Sequence, residues 1–507
     1  MSNPPAERRP LLSKATGDAK LPLSTEVDRG RSLVEIGNFL VATRDAGYRS
    51  VASAVSEFVD NSIQAGAQSI RVDVAKSDCT EFPIEIAVTD DGMGMNAAEL
   101  SGALTFGGSS RFGDRSSLGR FGMGLPNAAL SLARRVEVYS WQSDSSLLST
   151  LDLDEIVGGD TRFALPANAE RQTVTADSPS GTLVRLRRCD RLGYRRPSTI
   201  ANKLADSLSR TYRHFLGAGL SIVVNDKPLT PADPLFLSTG TAHTAKAFGE
   251  PLAYELATAA GHGTVEVIFT ELPVEAWCDL SVQQKRRIGI TNAANVSIVR
   301  ADREVDSGWW FMGGRRRQNY DDWWRCEIRF DPVLDELFGI THTKQQVTPT
   351  PHLNDLLSAD LGPIANALNA RVRRRFELVK VRGPLADAAR TAALCSESLP
   401  RLGPGPSASA VYRLEVGEIA GTSALTVETE GQDMSVVVNE RHPLYRDVLR
   451  PLTESATPAD QRTAKRVGLV LLALARAEAA AGPGHSGHAA AQFRSQWSDF
   501  AATYLNA

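Results

Sequence analysis

The stretch EFVDNSIQAGA, residues 57–67, decides the fold. It sets Glu57, Asp60 and Asn61 inside a helical pattern that starts at Tyr48. Val51, Ala54, Val55, Phe58, Val59 and Ile63 recur at the three-and-four spacing of a buried stripe. Glu57 and Asn61 are one turn apart, so they share a second face, with Asp60 beside them. The Asn carbonyl is a hard oxygen ligand suited to Mg²⁺, and the Glu is placed to activate a water as general base. A solvated polar helix face would read the same way from this stretch alone.

Working outward, two alternating runs, IRVDV (70–74) and IEIAV (84–88), read as strands. The second runs into TDDGMGM, in which a carboxylate at a strand end is followed by two glycines. Such a carboxylate can accept from an adenine amino group, and the glycines allow backbone to approach a ring; Asp-Gly is also a common turn. A Gly- and Ser-rich loop leads to GRFGMG at 119–124, which opens the helix LPNAALSLA. Free amides and a helix N-terminus favour phosphate there. RRVEVYSW and GTLVRLRR (181–188) read as strands, roughly 198–216 as a helix, and LSIVVNDKPLTPADPL as a hairpin.

The 507 residues predict two to four domains. A net charge of −3 gives no global basic signature, so any nucleic-acid contact would be a local patch. Five scattered cysteines argue against a disulfide framework or zinc site and fit a reducing cytoplasm. The polar start and the short apolar run VGLVLLALA (467–475) predict a cytoplasmic chain without membrane contact. Residues 1–30 read as a disordered or arm-like N-terminus and 383–410, with RLGPGPSASA, as a linker. HSGH at 485–488 reads as loop.

Together, in this order and spacing, the boxes make the sequence resemble the GHKL ATPase superfamily of gyrase B subunits, the ninety-kilodalton heat-shock chaperone, histidine kinases and MutL. Glu57–Ser62 resembles its first box, Asp90–Met95 its second, Gly119–Gly124 its third and Gly181-Thr182 its fourth. The resemblance implies an α+β chain. A Bergerat-fold ATPase domain (31–236), a mixed sheet with helices on one face, would precede an α/β transducer domain (237–382) and a small mixed C-terminal region (411–507). It implies ATP and Mg²⁺ as cofactors, with Glu57 as general base, Asn61 as magnesium ligand and Asp90 as adenine reader. Gly92 and Gly94 would line the base. Gly119, Gly122, Met123 and Gly124 would hold phosphates, and Thr182 would join the adenine network. Met95, Arg120 and Phe121 complete the nucleotide-binding set, Asp60 would support it, and 105–118 would form the lid.

THTKQQ at 341–346 resembles the lysine loop of gyrase-, MutL- and microrchidia-type proteins, and Lys344 would reach the γ-phosphate. FGGSSR and GRFGMGLPNAAL resemble microrchidia proteins more than MutL. The resemblance, good over roughly 35–350, implies a homodimer that closes on ATP and acts as a gate on DNA, with genome defence as one setting and a partner protein of the same system as another. A chaperone-like ATPase on protein clients and an ATP-sensing module are the other readings. GGRRRQ (313–318) and RVRRRFELVKVR (371–382) would meet DNA, form a solvated helix face, or pair with nearby acids.

Overall fold

The computed structural model describes residues 35–48, 50–108, 123–143, 145–158, 165–169, 178–238, 244–291, 296–340, 346–380, 382–402, 410–482 and 485–506. Three sheets, each with its own buried cluster, divide the chain.

The first unit runs α1 (Ile36–Asp45), α2 (Val51–Gln64), β1 (Ser69–Lys76), β2 (Ile84–Asp90), α3 (Ala97–Leu104), α4 (Gly124–Leu132), β3 (Ala133–Gln142), β4 (Ser145–Asp152), α5 (Leu153–Val157), β5 (Ala167–Asn168), β6 (Ser180–Cys189), α6 (Pro197–Thr211), α7 (Arg213–Gly217), β7 (Ser221–Val224) and β8 (Lys227–Pro228). Its eight strands lie in the order β5-β4-β3-β6-β2-β1-β7-β8. β1 and β7 are parallel and the other pairs antiparallel, so the sheet is mixed. Ile70, Val72, Val74, Ile84, Ile86 and Val88 alternate inward. With residues of α2, α4 and α6 they form one cluster, which places these helices on one face of the sheet.

Two boundaries differ from the sequence reading. The helix expected from Tyr48 begins at Val51, because the Ser50 hydroxyl takes the Ser53 amide at 3.1 Å and Ser53 answers with a bond from the Ser50 amide. The helix expected over 198–216 breaks at Tyr212, whose fully buried hydroxyl reaches α2.

The second unit holds β9 (Lys246–Ala247), β10 (Leu252–Thr258), β11 (Gly261–Glu271), α8 (Val274–Trp277), α9 (Val282–Ile288), β12 (Val296–Arg300), β13 (Arg303–Gly308), β14 (Trp324–Phe330), α10 (Asp335–Phe338) and α11 (Pro351–Lys380). Its sheet order is β10-β11-β14-β12-β13, with β9 on β11. Leu353, Leu357, Leu361, Ala365 and Leu368 of α11 recur every three or four residues and bury against that sheet.

The third unit holds α12 (Pro384–Cys395), β15 (Tyr412–Gly417), β16 (Leu425–Glu430), β17 (Asp433–Asn439), α13 (Arg450–Glu454), α14 (Pro458–Ala480) and α15 (His485–Leu505). The expected linker 383–410 is corrected here. Pro384 opens a helix whose Ala388, Ala389 and Ala393 join the third core, and Gly468 of α14 lets the two helices approach closely. HSGH, read as loop, lies in the first turns of α15. No described helix is long and apolar enough to cross a membrane.

Candidate functional site

The α2 stripe that packs into the core leaves Glu57 only 3% exposed at the edge of that core. Its Oε2 lies against the first residue of α4, where a Cβ on Gly124 would stand 2.7 Å away. A side chain at 124 would press on the carboxylate and displace it. Burial, and after it the Glu57 and Asp60 charges, push the Tyr48 phenol far above its ordinary value, so it stays protonated beside them. Asn61 is half-buried one turn further along α2. Asp60 is fully buried.

α4 begins at Gly124 with Met123 before it, and no described side chain caps its first amides. Pro126 has no N–H and the Asn127 amide bonds the Met123 carbonyl at 3.1 Å, so among the described residues that end of the helix offers the Gly124 and Leu125 amides and the positive end of its dipole, beside Glu57. A ligand oxyanion could take those amides.

Asp90 closes β2 and is 8% exposed. Its Oδ1 accepts from the Gly92 amide at 3.0 Å and the Thr182 amide at 3.2 Å, and its Oδ2 from the Ser62 hydroxyl at 2.7 Å. Burial pushes the carboxyl above its ordinary 3.8, against the downward pull of these three bonds. The neighbouring Asp91 does a different job: it accepts from the Gln68 and Ser69 amides at 2.8 and 2.9 Å and anchors the start of β1.

The Gly-Met-Gly-Met segment is pinned to the sheet. Ser180 Oγ donates to the Gly92 carbonyl at 2.8 Å, Gln142 to the Met93 carbonyl at 3.2 Å, and the Met95 amide to Ser140 Oγ at 2.7 Å. Ser140 also lies 3.3 Å from the Thr182 hydroxyl. A Cβ at Gly92 would stand 2.7 Å from Ala65 Cβ, and one at Gly94, at φ +68°, would strike the Trp141 carbonyl. A side chain at Gly181 would overlap the Asp90 carbonyl and the Trp141 ring. All three positions thus have glycine for want of space.

The structure therefore brings Glu57, Asn61, Asp90, Gly92, Gly94, Met95, Met123, Gly124 and Thr182 to one end of the sheet and its covering helices. Gly119, Arg120, Phe121, Gly122 and Lys344 lie outside the described residues. Sequence reasoning gave no role to Ser62, Ser140, Ser180 or Tyr48. Of these only Ser62, inside the first box, carried a local signal.

The basic stretches are largely engaged internally. Arg315 pairs with Asp321 at 2.6 Å and Arg317 with Asp322. Arg371 and Arg375 both reach Glu271, Arg373 stacks on Tyr320, and Arg374 faces Asp433 at 3.7 Å. Of the alternatives left open by the sequence, pairing with nearby acids is the one that Arg315, Arg317, Arg371, Arg374 and Arg375 adopt, while Arg316 and Arg373 are exposed.

Residues 48–182 match a family described as histidine kinase-, DNA gyrase B-, and HSP90-like ATPase. A stretch of 84 residues is 34% identical to the ATPase morc-1 of Caenorhabditis elegans, covering 17% of this chain and 9% of that protein. The matched family segment begins at Tyr48 and ends at Thr182, the outermost residues of the geometry just described. Residues 48–182 are thus similar to the ATPase domains of histidine kinases, DNA gyrase B and HSP90, and the chain shares a short stretch of likeness with a microrchidia ATPase.

Proposed function

We propose that this protein binds and hydrolyses ATP and uses the cycle to open and close a two-subunit gate. The observation that carries the reading is the pairing of two buried carboxylates in distinct surroundings at one end of the sheet. Asp90 is held by Ser62, Gly92 and Thr182, and Glu57 stands against the uncapped start of α4. Asp90 would accept from the adenine amino group, with Gly92, Gly94 and Met95 along the ring and Thr182 beside it. The first amides of α4, from Gly124 on, would meet phosphate, with Met123 and the neighbouring Gly119, Arg120, Phe121 and Gly122.

Glu57 would take a proton from the attacking water. Asn61 would hold Mg²⁺, which neutralises phosphate charge when bound. Lys344, in the second unit's 341–346 stretch, would stabilise charge on the γ-phosphate and make that unit a transducer. DNA as the substrate of the gate rests on the resemblance to microrchidia proteins, since the basic stretches largely pair internally. A protein client is the competing reading.

The test is the ATPase rate of the wild-type protein and of Glu57→Ala, with and without duplex DNA, at two salt concentrations. Wild-type turnover that falls by about 10²- to 10⁴-fold in Glu57→Ala, with nucleotide binding retained, is expected. A fully active Glu57→Ala refutes the assignment. Stimulation by DNA that weakens at higher salt favours the DNA gate, and its absence favours the client reading.

A further inference from the structure

The β12–β13 hairpin turns through Ala301 and Asp302, at φ of +45° and +63°, and carries Arg303 into the first unit. Arg303 Nε donates to Asp60 Oδ1 at 2.8 Å, with side chains 5% and 0% exposed. The same Oδ1 lies 2.7 Å from the Tyr212 hydroxyl, which is also 2.8 Å from the Ser56 carbonyl. Asp60 stands three residues after Glu57 and one before Asn61 on α2.

A second lock runs the other way. Arg213 of the first unit donates to Glu304 Oε2 at 2.6 Å and to Ser297 Oγ at 2.8 Å, and pairs with Glu327. Arg210 joins it on Glu304 at 2.7 Å. β13 therefore grips α2 at one residue and is gripped by α6 and α7 at the next.

We infer that Arg303 is a positioning residue for ATP hydrolysis: reaching through Asp60 from the second sheet, it fixes the placement of α2 and so of the Glu57 carboxylate. The inference rests on the ATPase reading above. Without Arg303, Asp60 keeps the Tyr212 hydroxyl but loses its buried countercharge, which favours a shift of α2 that brings the carboxylate towards water. A helix moves as a body, so Glu57 shifts with it.

Arg303→Met, Arg303→Lys and the neutral pair Asp60→Asn/Arg303→Met are compared with wild type, each also in a Glu57→Ala background. Single-turnover hydrolysis and calorimetric binding of a nonhydrolysable ATP analogue are the readouts. Arg303→Met is expected to slow hydrolysis about 10- to 100-fold while analogue affinity stays within about threefold. Arg303→Lys, which keeps the charge, recovers part of the rate. In the Glu57→Ala background Arg303→Met adds no further loss, because the group it positions is gone; a merely structural defect would multiply there. Wild-type hydrolysis in Arg303→Met, or a multiplicative loss with Glu57→Ala, overturns the inference. The neutral pair leaves no uncompensated charge and is expected to hydrolyse faster than Arg303→Met; if Arg303→Met does not fold, Arg303→Lys carries the same comparison, its loss vanishing in the Glu57→Ala background. A wild-type protein without turnover overturns the ATPase reading and this inference together, whereas normal Glu57→Ala behaviour with an inert Arg303→Met overturns this inference alone.

Discussion

Replacing Asp90 by Asn separates recognition from folding. The side chain is buried and makes three internal bonds, to the Gly92 and Thr182 amides through Oδ1 and to the Ser62 hydroxyl through Oδ2. An Asn can keep all three. Its carbonyl takes the two amides, and its NH₂ donates to Ser62 Oγ, whose own proton is also within reach of the Phe58 carbonyl at 3.0 Å. The substitution also removes a buried charge whose burial had pushed the carboxyl above 3.8. Stability should therefore change by less than about 1 kcal/mol. Nucleotide binding should not survive as well. On the proposed role of Asp90, a donor would then face the donor amino group of adenine, and a charge-assisted bond worth about 1.5–3 kcal/mol would be lost. That predicts Kd raised by about 10- to 150-fold. Calorimetric titration beside thermal unfolding reads both quantities on one sample. Wild-type affinity in Asp90→Asn refutes the role of Asp90, and a large fall in Tm refutes the claim that its bonds can be kept by an amide.

The other expectations are brief. On the proposed role of Asp90 as an ionised acceptor for adenine, and with its pKa raised by burial, affinity for ATP analogues should start to fall on acidification at a pH above the ordinary 3.8 of an aspartate; a titration curve with its midpoint at or below that value contradicts this. Gly124→Ala should put a methyl 2.7 Å from Glu57 Oε2 and slow hydrolysis by about tenfold or more with binding retained, as steady-state kinetics can show. Burial would raise the Glu327 carboxyl, but hydrogen bonds from His214 and Arg213 and the Arg213 charge outweigh it and hold it well below its ordinary 4.5. Its folded pKa is depressed, so its contribution to stability is present above 4.5 and lost as pH falls below that; Glu327→Gln should flatten the acid limb of a stability–pH curve. Gly468→Val, whose Cβ would stand 3.0 Å from Ala388 and Leu414, should destabilise the third unit by about 1–3 kcal/mol and leave analogue affinity unchanged.

The first unit was readable because its chemistry is local. The α2 stripe, the strand alternation and the glycines of TDDGMGM each fall within a dozen residues, and the glycines stand where side chains would collide. Helix α1 was missed: Leu40 and Arg44 bury, yet Ile36, Phe39 and Val41 lie over 40% exposed, so its stripe is thin. Helix α12 was hidden by its Gly-Pro start, though Pro384 at the first helical position followed by an Ala-rich run is a start signal as much as a break. The joint between the first two units left no trace in sequence. Asp60 and Arg303 are 243 residues apart and Arg213 and Glu304 are 91 apart, so no periodicity or spacing links them. The same distance in sequence hid Ser140 and Ser180 from the second box that they hold.

The crossed ion pairs of β13 make the chain a poor subject for dissection. A fragment cut near residue 236 would keep every residue of the segment matched to the ATPase family, 48–182. It would nevertheless lose Arg303 from Asp60, and Glu304, Glu327 and Ser297 from Arg213. Its α2, α6 and α7 would meet solvent with one acid and one base tailored to absent partners, and its catalytic behaviour would describe the fragment instead of the protein. The smallest autonomous piece, by the logic of these contacts, extends at least through β14 and its supporting helix α11, about two and a half times the length of the segment matched to the family, 48–182.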